Sequence, residues 1–192
     1  MAETDSRTKL LNVAERLFQE RGYGAVSMAD VAAAVGIRKA SLYHHVPGGK
    51  EELFAEVSVR AFRRHHEGLT AALTASDGGL EPQLRAASRW FIARAPLRLL
   101  ATLQNDLPAL SPENAQGFGA QLAEGVWKPL REVFTAAAAR GEIRGDKPDA
   151  YVGAFLTLMD GVTYTGSRLN LNESMEETAD DLIRMMVRGL AP

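Results

Sequence analysis

A chain of 192 residues with 46% hydrophobic and 24% charged residues and no cysteine is a globular protein, which excludes a disordered chain, a disulfide scaffold, an iron–sulfur cluster and a thiolate nucleophile. A chain of this length buries roughly 70% of its unfolded surface, so it needs no metal or crosslink to hold a core. The 22 basic and 24 acidic residues leave a net charge of −2, which excludes a surface uniformly built for nucleic acid and directs attention to how the charge is distributed.

Met1–Lys9 carries Glu3, Asp5, Arg7 and Lys9 instead of an apolar run, so no secretory signal is expected. The apolar stretch from Ala150 to Met159 is interrupted by Asp160 and falls short of the roughly 18 residues of a membrane span. A cytoplasmic protein without membrane contact follows as the expectation.

Alternating strand patterns are nearly absent and the chain reads as all-α. A first helix over about residues 7–20 places Leu10, Val13, Ala14, Leu17 and Phe18 on one face, and Gly22 and Gly24 end it. Ser27, with Asp30 three positions on, caps a short helix to Val35, which Gly36 closes. A second short helix over residues 39–45 follows after Gly36, Ile37 and Arg38. Two short helices joined by a three- to four-residue glycine-containing turn have the spacing of a helix-turn-helix, which an ordinary helical hairpin shares.

Beyond Lys50 a long helix runs from Glu51 through Arg63-Arg64-His65-His66 to about Leu73, and Asp77-Gly78-Gly79 ends it. Pro82 opens a helix through Ala86, Trp90 and Phe91, and a shorter one spans about residues 97–104. Ser111 caps the next helix, which carries Phe118, Leu122, Val126, Leu130, Val133 and Phe134 and which Pro129 should kink. Gly141 and Gly145 close it, and helices over about residues 148–168 and 175–189 finish the chain. The organisation expected is therefore a helix-turn-helix domain over residues 1–50 and a larger helical domain over 51–192.

Residues 1–66 hold 10 basic and 8 acidic side chains. Within them Gly36–Lys50 contains Arg38, Lys39, Lys50 and two histidines with no acid, a compact basic patch suited to a phosphate backbone. The motif around it runs Ser27-Met28-Ala29-Asp30-Val31-Ala32, Ala34-Val35-Gly36-Ile37, Ala40-Ser41-Leu42-Tyr43-His44-His45 and Lys50-Glu51-Glu52-Leu53, supported upstream by Ala14-Glu15-Arg16-Leu17-Phe18 and Gly22-Tyr23. These residues resemble the DNA-binding signature of the TetR (tetracycline-repressor) family of bacterial transcriptional regulators. The resemblance covers the first third of the chain; the rest is similar only in layout, with Gly141-Glu142-Ile143-Arg144 as a turn before the last two helices.

The resemblance implies an all-α homodimer with an N-terminal three-helix DNA-binding domain, and a larger helical domain that binds a small effector and dimerises through its last two helices. By motif position Arg38, Lys39, Ala40, Ser41 and His44 occupy the base-facing stretch, and Ser27, Tyr43, His45 and Lys50 the places that contact the backbone. The sequence departs from the family pattern at Arg38, where a capping Ser or Thr is common, at Ala40 in place of a glycine, and at Val46 in place of an aromatic. The turn Val46-Pro47-Gly48-Gly49-Lys50 is one residue longer than the common form, as in a subset of the family. Arg38 loses a cap and gains a cation able to bond a guanine edge or a phosphate.

For the effector pocket the candidates are Trp90, Phe91, Gln104, Phe118, Trp127, Phe134, Tyr151, Phe155, Met159 and Tyr164, with core packing as the default reading of the aromatic ones and Met159. For the dimer interface they are Val152 and Leu156 on one helix and Met175, Ala179, Leu182, Ile183, Met186 and Leu190 on the last, whose apolar stripe is wider than one core needs.

Other chemistries lack their parts. Gly48-Gly49-Lys50 has histidine where a phosphate-binding loop needs glycine, and Ser6 with Lys9 has acyl-enzyme spacing without partner motifs. In His44-His45 and His65-His66 the adjacent rings diverge by about 100° on a helix, so they read as solvated or phosphate-facing groups and not as a metal site; Arg60, Arg63 and Arg64 read as a solvated face. No cofactor, metal or catalytic residue is expected. The alternatives are an all-helical small enzyme, for which no carboxylate pair or histidine dyad speaks, or an adaptor whose helix-turn-helix does not bind DNA.

Overall fold

The first helix, α1 (Ala2–Arg21), forms because Leu10, Leu11, Ala14, Leu17 and Phe18 recur on one face, and all five are buried. It starts before residue 7, so the polar segment holding Ser6, Arg7 and Lys9 is helical. This chain is described from a computed structural model, which covers residues 2–76, 78–94, 101–168 and 174–192. Among the described residues there are nine α-helices and no strand, and no helix among them is long and apolar enough to cross a membrane.

Helix α2 (Met28–Val35) opens on the expected capping box: the Ser27 hydroxyl accepts the Asp30 N–H at 3.2 Å, and the Asp30 carboxylate accepts the Ser27 N–H at 2.8 Å. Those hydrogen bonds hold the Asp30 carboxyl below the ordinary carboxylate range. Gly36 closes α2 at φ +85°, where its own N–H and that of Ile37 bond the Ala32 carbonyl. Helix α3 (Lys39–His45) follows, then the long α4 (Gly49–Thr74).

Two compact units result. The first comprises Met1–Arg63 and Ala101–Gln121, so the division between the compact units falls inside α4. The reason is burial: Leu53, Phe54 and Val57 from the first turns of α4 belong to the core of α1–α3. Phe54 meets Phe18 edge-on at 5.2 Å and Tyr23 at 5.0 Å between ring centroids.

The later segment of this unit begins with a π turn (Thr102–Asp106) and a 3-10 turn (Leu107–Ala109), followed by α6 (Pro112–Leu122). The helix expected over residues 97–104 lies partly outside the described residues, as does Asp77. Three contacts fix the segment. The Asp106 carboxylate accepts the Tyr23 N–H at 3.0 Å, the Glu51 carboxylate accepts the Ser111 N–H and the Asn114 side-chain amide, and Phe118 packs on Phe54 and edge-on to Phe62. Ser111 also caps α6 through Asn114.

The second unit comprises Arg64–Leu100 and Leu122–Pro192. It holds α5 (Leu80–Ile92), a π turn (Ala123–Trp127), α7 (Lys128–Ala139), α8 (Pro148–Arg168) and α9 (Met175–Leu190). Pro129 has no N–H to give the Gly125 carbonyl, and the irregularity takes the form of the π turn, with the Lys128 N–H reaching back to Ala123. The Gly141–Arg144 turn ties this unit together: Glu142 accepts the Leu80 N–H at the start of α5 at 2.7 Å, and Arg144 bonds the carbonyls of Gly189 and Leu190 at the end of α9. Leu84, Phe91, Leu130, Phe134, Phe155, Met159 and Ile183 fill the core.

In the basic run at residues 60–66, Arg63, Arg64 and His66 are exposed as expected of a solvated face, whereas His65 is buried and Arg60 is half-buried. His65 is only 9% exposed and packs against Trp90 and Phe91, whereas the His66 ring points away to the Glu124 carbonyl at 3.1 Å. Arg60 donates to Asn12 at 3.0 Å, which leaves Arg63 as an exposed cation of the run. His65 is buried because Phe62, His65, Leu69 and Leu73 share one helical face, a stripe the adjacent charges conceal.

Candidate nucleic-acid interface

Helix α3 is seven residues long and buries one of them completely, Leu42. An inward Leu42, with Val46 buried just beyond, turns Arg38, Lys39, Ala40, Ser41 and His44 outward, and all five are exposed. Arg38 stands at the N-cap with extended backbone (φ −72°, ψ 145°) and makes no side-chain cap, so its guanidinium is left to the surface. The structure thus brings together the five positions assigned to base edges, on the exposed face of a helix short enough for a major groove.

The other four candidates flank this face. Tyr43 is 41% exposed, and His45 is half-buried at the end of α3. Ser27 is exposed, but its hydroxyl is engaged with Asp30, so its first role is structural. The Lys50 ammonium lies 4.0 Å from the centroid of the Tyr23 ring, a cation–π contact that holds it beside the turn from Val46. In that turn the Gly49 N–H bonds the Val46 carbonyl and Glu52 accepts the Gly48 N–H, which accommodates the extra residue.

The sequence motif does not include one residue that the structure brings here. Arg7 on α1 donates from Nη1 to the His45 carbonyl at 2.9 Å and from Nη2 to the Glu56 carboxylate at 2.8 Å. Its partners lie 38 and 49 positions away, and no local pattern signals them.

The effector candidates divide between the units. Gln104, exposed, and Phe118, half-buried beside Phe54, belong to the first unit. Trp90, Phe91, Trp127, Phe134, Tyr151, Phe155, Met159 and Tyr164 belong to the second. There Phe91 and Phe155 lie 6.4 Å apart and Phe134 and Tyr151 5.9 Å, with Phe91, Phe134, Phe155 and Met159 buried in the core. Trp127 donates to Asp149 at 2.9 Å and Tyr151 to Asp146 at 2.7 Å, while Tyr164 is exposed. A groove of about 240 Å³ in this unit is lined instead by residues such as Leu73, Gln83, Pro129 and Val133.

The dimer candidates divide as well. Val152, Leu156, Ala179 and Ile183 are buried within the chain's own core. Met175, Leu182, Met186 and Leu190 are half-buried on α9, and Met185 beside them is 61% exposed.

Comparison with known proteins agrees with this geometry. The profile of the family described as bacterial regulatory proteins, tetR family, matches residues 10–57. The chain is 46% identical over 56 residues to the HTH-type transcriptional regulator LmrA of Bacillus subtilis (strain 168), a match spanning 29% of this chain and 30% of that protein. It is 30% identical to the TetR family transcriptional regulator PfmR from Thermus thermophilus, covering 95% of this chain and 99% of that one with a TM-score of 0.69. AibR, crystallised in complex with isovaleryl coenzyme A and operator DNA, shares the fold at a TM-score of 0.76 and 24% identity, over 94% of this chain and 97% of that one. With the exposed face of α3 in a three-helix core and a relative of that family 30% identical over 95% of this chain, the chain belongs to the TetR family of bacterial transcriptional regulators, whose DNA-binding domain is a helix-turn-helix.

Proposed function

We propose that this protein is a ligand-responsive repressor that binds a near-palindromic operator as a homodimer and leaves it when a small, largely apolar effector binds. The observation that carries the reading is the outward face of α3, where Arg38, Lys39, Ala40, Ser41 and His44 are presented together while Leu42 anchors the helix. Arg38 and Lys39 address base edges and adjacent phosphates; Tyr43, His45 and Lys50, with Ser27 at the start of α2, address the backbone.

DNA recognition is assigned to residues 1–50, and effector binding and dimerisation to residues 51–192. A dimer sets two copies of α3 about 34–36 Å apart, matching successive major grooves. The apolar surface left on α9 by Met175, Leu182, Met185, Met186 and Leu190 supports self-association. Effector binding draws support from the second unit's aromatic residues, Trp90, Phe91, Phe134 and Phe155 among them, and from AibR, a protein of this fold crystallised with an acyl coenzyme A and operator DNA. An effector shifts the dimer away from the operator spacing only by its differential affinity for the two forms, typically about 1–3 kcal/mol. Such a regulator acts in the cytoplasm.

The test is equilibrium binding to operator duplexes across a salt series. Lys50→Ala weakens all sequences alike and flattens the salt dependence by about one unit of slope, whereas Arg38→Ala relaxes base preference. Unchanged affinity in both Lys50→Ala and Tyr43→Phe would overturn the contact assignment.

A further inference from the structure

We propose that Arg7, outside the helix-turn-helix motif, is a positioning residue that sets the angle at which α3 is presented to DNA. The inference rests on the DNA-binding reading above and deepens it.

A helix of seven residues has little stability of its own, so its orientation comes from what holds it. On the inward side that is Leu42, with Val46 behind it. On the side facing α1 the surroundings are mostly polar. Arg7, Leu11, His44, His45, Glu56 and Arg60 line a polar cleft of about 580 Å³ there. Both apolar anchors, Leu42 and Val46, lie on the inward side of the helix, and a further fixed point is its last carbonyl, that of His45.

That carbonyl is one of the groups a helix C-terminus leaves without an intrahelical donor. Arg7 supplies the donor at 2.9 Å and brings a positive charge to the negative end of the helix. Its other terminal nitrogen is held by Glu56 at 2.8 Å, on the part of α4 rooted in the same core by Leu53 and Val57. The planar guanidinium therefore ties the end of α3 to α1 and α4 with two nitrogens in fixed relation. Recognition of base edges needs side chains placed to within about 0.5 Å, so loss of this tie loosens readout by Arg38–Ser41 without removing any group that touches DNA.

The experiment uses the full-length protein and a library of randomised duplexes, with selection followed by sequencing, and then a salt titration on the duplex that wild type enriches most. Arg7→Gln and Arg7→Ala are expected to lower affinity for that duplex about tenfold. They should flatten base preference at the positions read by α3 and leave the salt slope unchanged. Arg7→Lys, which cannot hold both partners at once, should fall between. Glu56→Gln, which leaves the carbonyl bond but weakens its anchor, should shift base preference in the same direction. A mere loss of folded protein lowers binding to every duplex by one factor and leaves the preference ratios intact, so flattened ratios report positioning. Two results would overturn the proposal: affinity falling with a salt slope smaller by about one unit and an unchanged base profile, which makes Arg7 a phosphate contact, or no change in either. If wild type enriches no sequence while the variants fold normally, the DNA-binding reading itself fails, and this inference with it.

Discussion

The indole N–H of Trp90 donates to Nδ1 of His65 at 3.3 Å, which places the proton of the neutral imidazole on Nε2. Burial, with Arg64 and Arg94 nearby, pushes the His65 pKa down from 6.5 to about 4. Protonation would put a charge into the packing between Trp90 and Phe91 and cancel the acceptor that Trp90 uses.

Because the folded pKa lies below the unfolded one, the stability His65 contributes is complete above pH 6.5 and is lost as pH falls toward about 4. Between about pH 7.5 and 5, wild type should lose about 2 kcal/mol more unfolding free energy than His65→Phe. The carboxylates with lowered pKa, such as Asp30 and Glu51, titrate below that window and are common to both proteins. Urea unfolding at the two pH values measures it; equal losses in both proteins would show that His65 titrates normally.

Trp90 also explains Gly68. The six-membered ring lies where a Cβ on residue 68 would sit, and the His65 bond and the Arg94 guanidinium over its face keep the indole in place. Gly68→Ala gains up to about 1 kcal/mol of helix propensity, yet it should destabilise the protein by about 1–3 kcal/mol and alter Trp90 fluorescence. Thermal unfolding followed by fluorescence reads both, and a more stable variant with an unshifted spectrum would refute the packing described.

Asp106 is buried and its carboxylate is the partner of the Tyr23 N–H. Asp106→Ala strands that donor, at a cost of about 1–3 kcal/mol, whereas Asp106→Asn keeps an acceptor and should cost less than half as much. The affected amide is local: hydrogen exchange at Tyr23 should rise in the alanine variant. Wild-type protection at that amide would mean that the bond contributes nothing.

These cases mark what is legible in the sequence. The capping box at Ser27 and Asp30, the stripe from Leu10 to Phe18 and the outward face of α3 follow from spacings of three and four residues, which a helix converts directly into geometry. Arg7 with His45, Tyr23 with Asp106 and Glu51 with Ser111 pair residues 38 to 83 positions apart, and such contacts leave no local pattern. For that reason sequence alone assigns the segment 101–121 to the larger domain, although its hydrogen bonds and Phe118 place it in the first unit. His65 is obscured differently: it shares a helical face with the apolar Phe62 and Leu69, while its neighbours in sequence, Arg64 and His66, are polar. The apolar stripe of α9 is legible as a stripe, but its division into core, with Ala179 and Ile183, and surface, with Met185, follows from how the helix is rotated against its neighbours.

That surface gives a prediction about assembly. If a second copy covers it, the protein should sediment at twice 20.8 kDa. Met185→Glu combined with Leu182→Glu should shift it to the single-chain mass and weaken operator binding at least tenfold, since one α3 reads only a half-site. A double variant that stays dimeric would locate the interface elsewhere.

The most direct test of the central claim is selection of fragmented genomic DNA from the source organism by the purified protein at moderate salt, with and without non-specific competitor, followed by sequencing of what is retained. Enrichment of an inverted repeat whose half-sites lie about one helical turn apart is expected, and it is lost when Arg38, Lys39 and Lys50 are replaced together by alanine. Retention that is the same for wild type and the triple variant, or no sequence enriched above input, would contradict it.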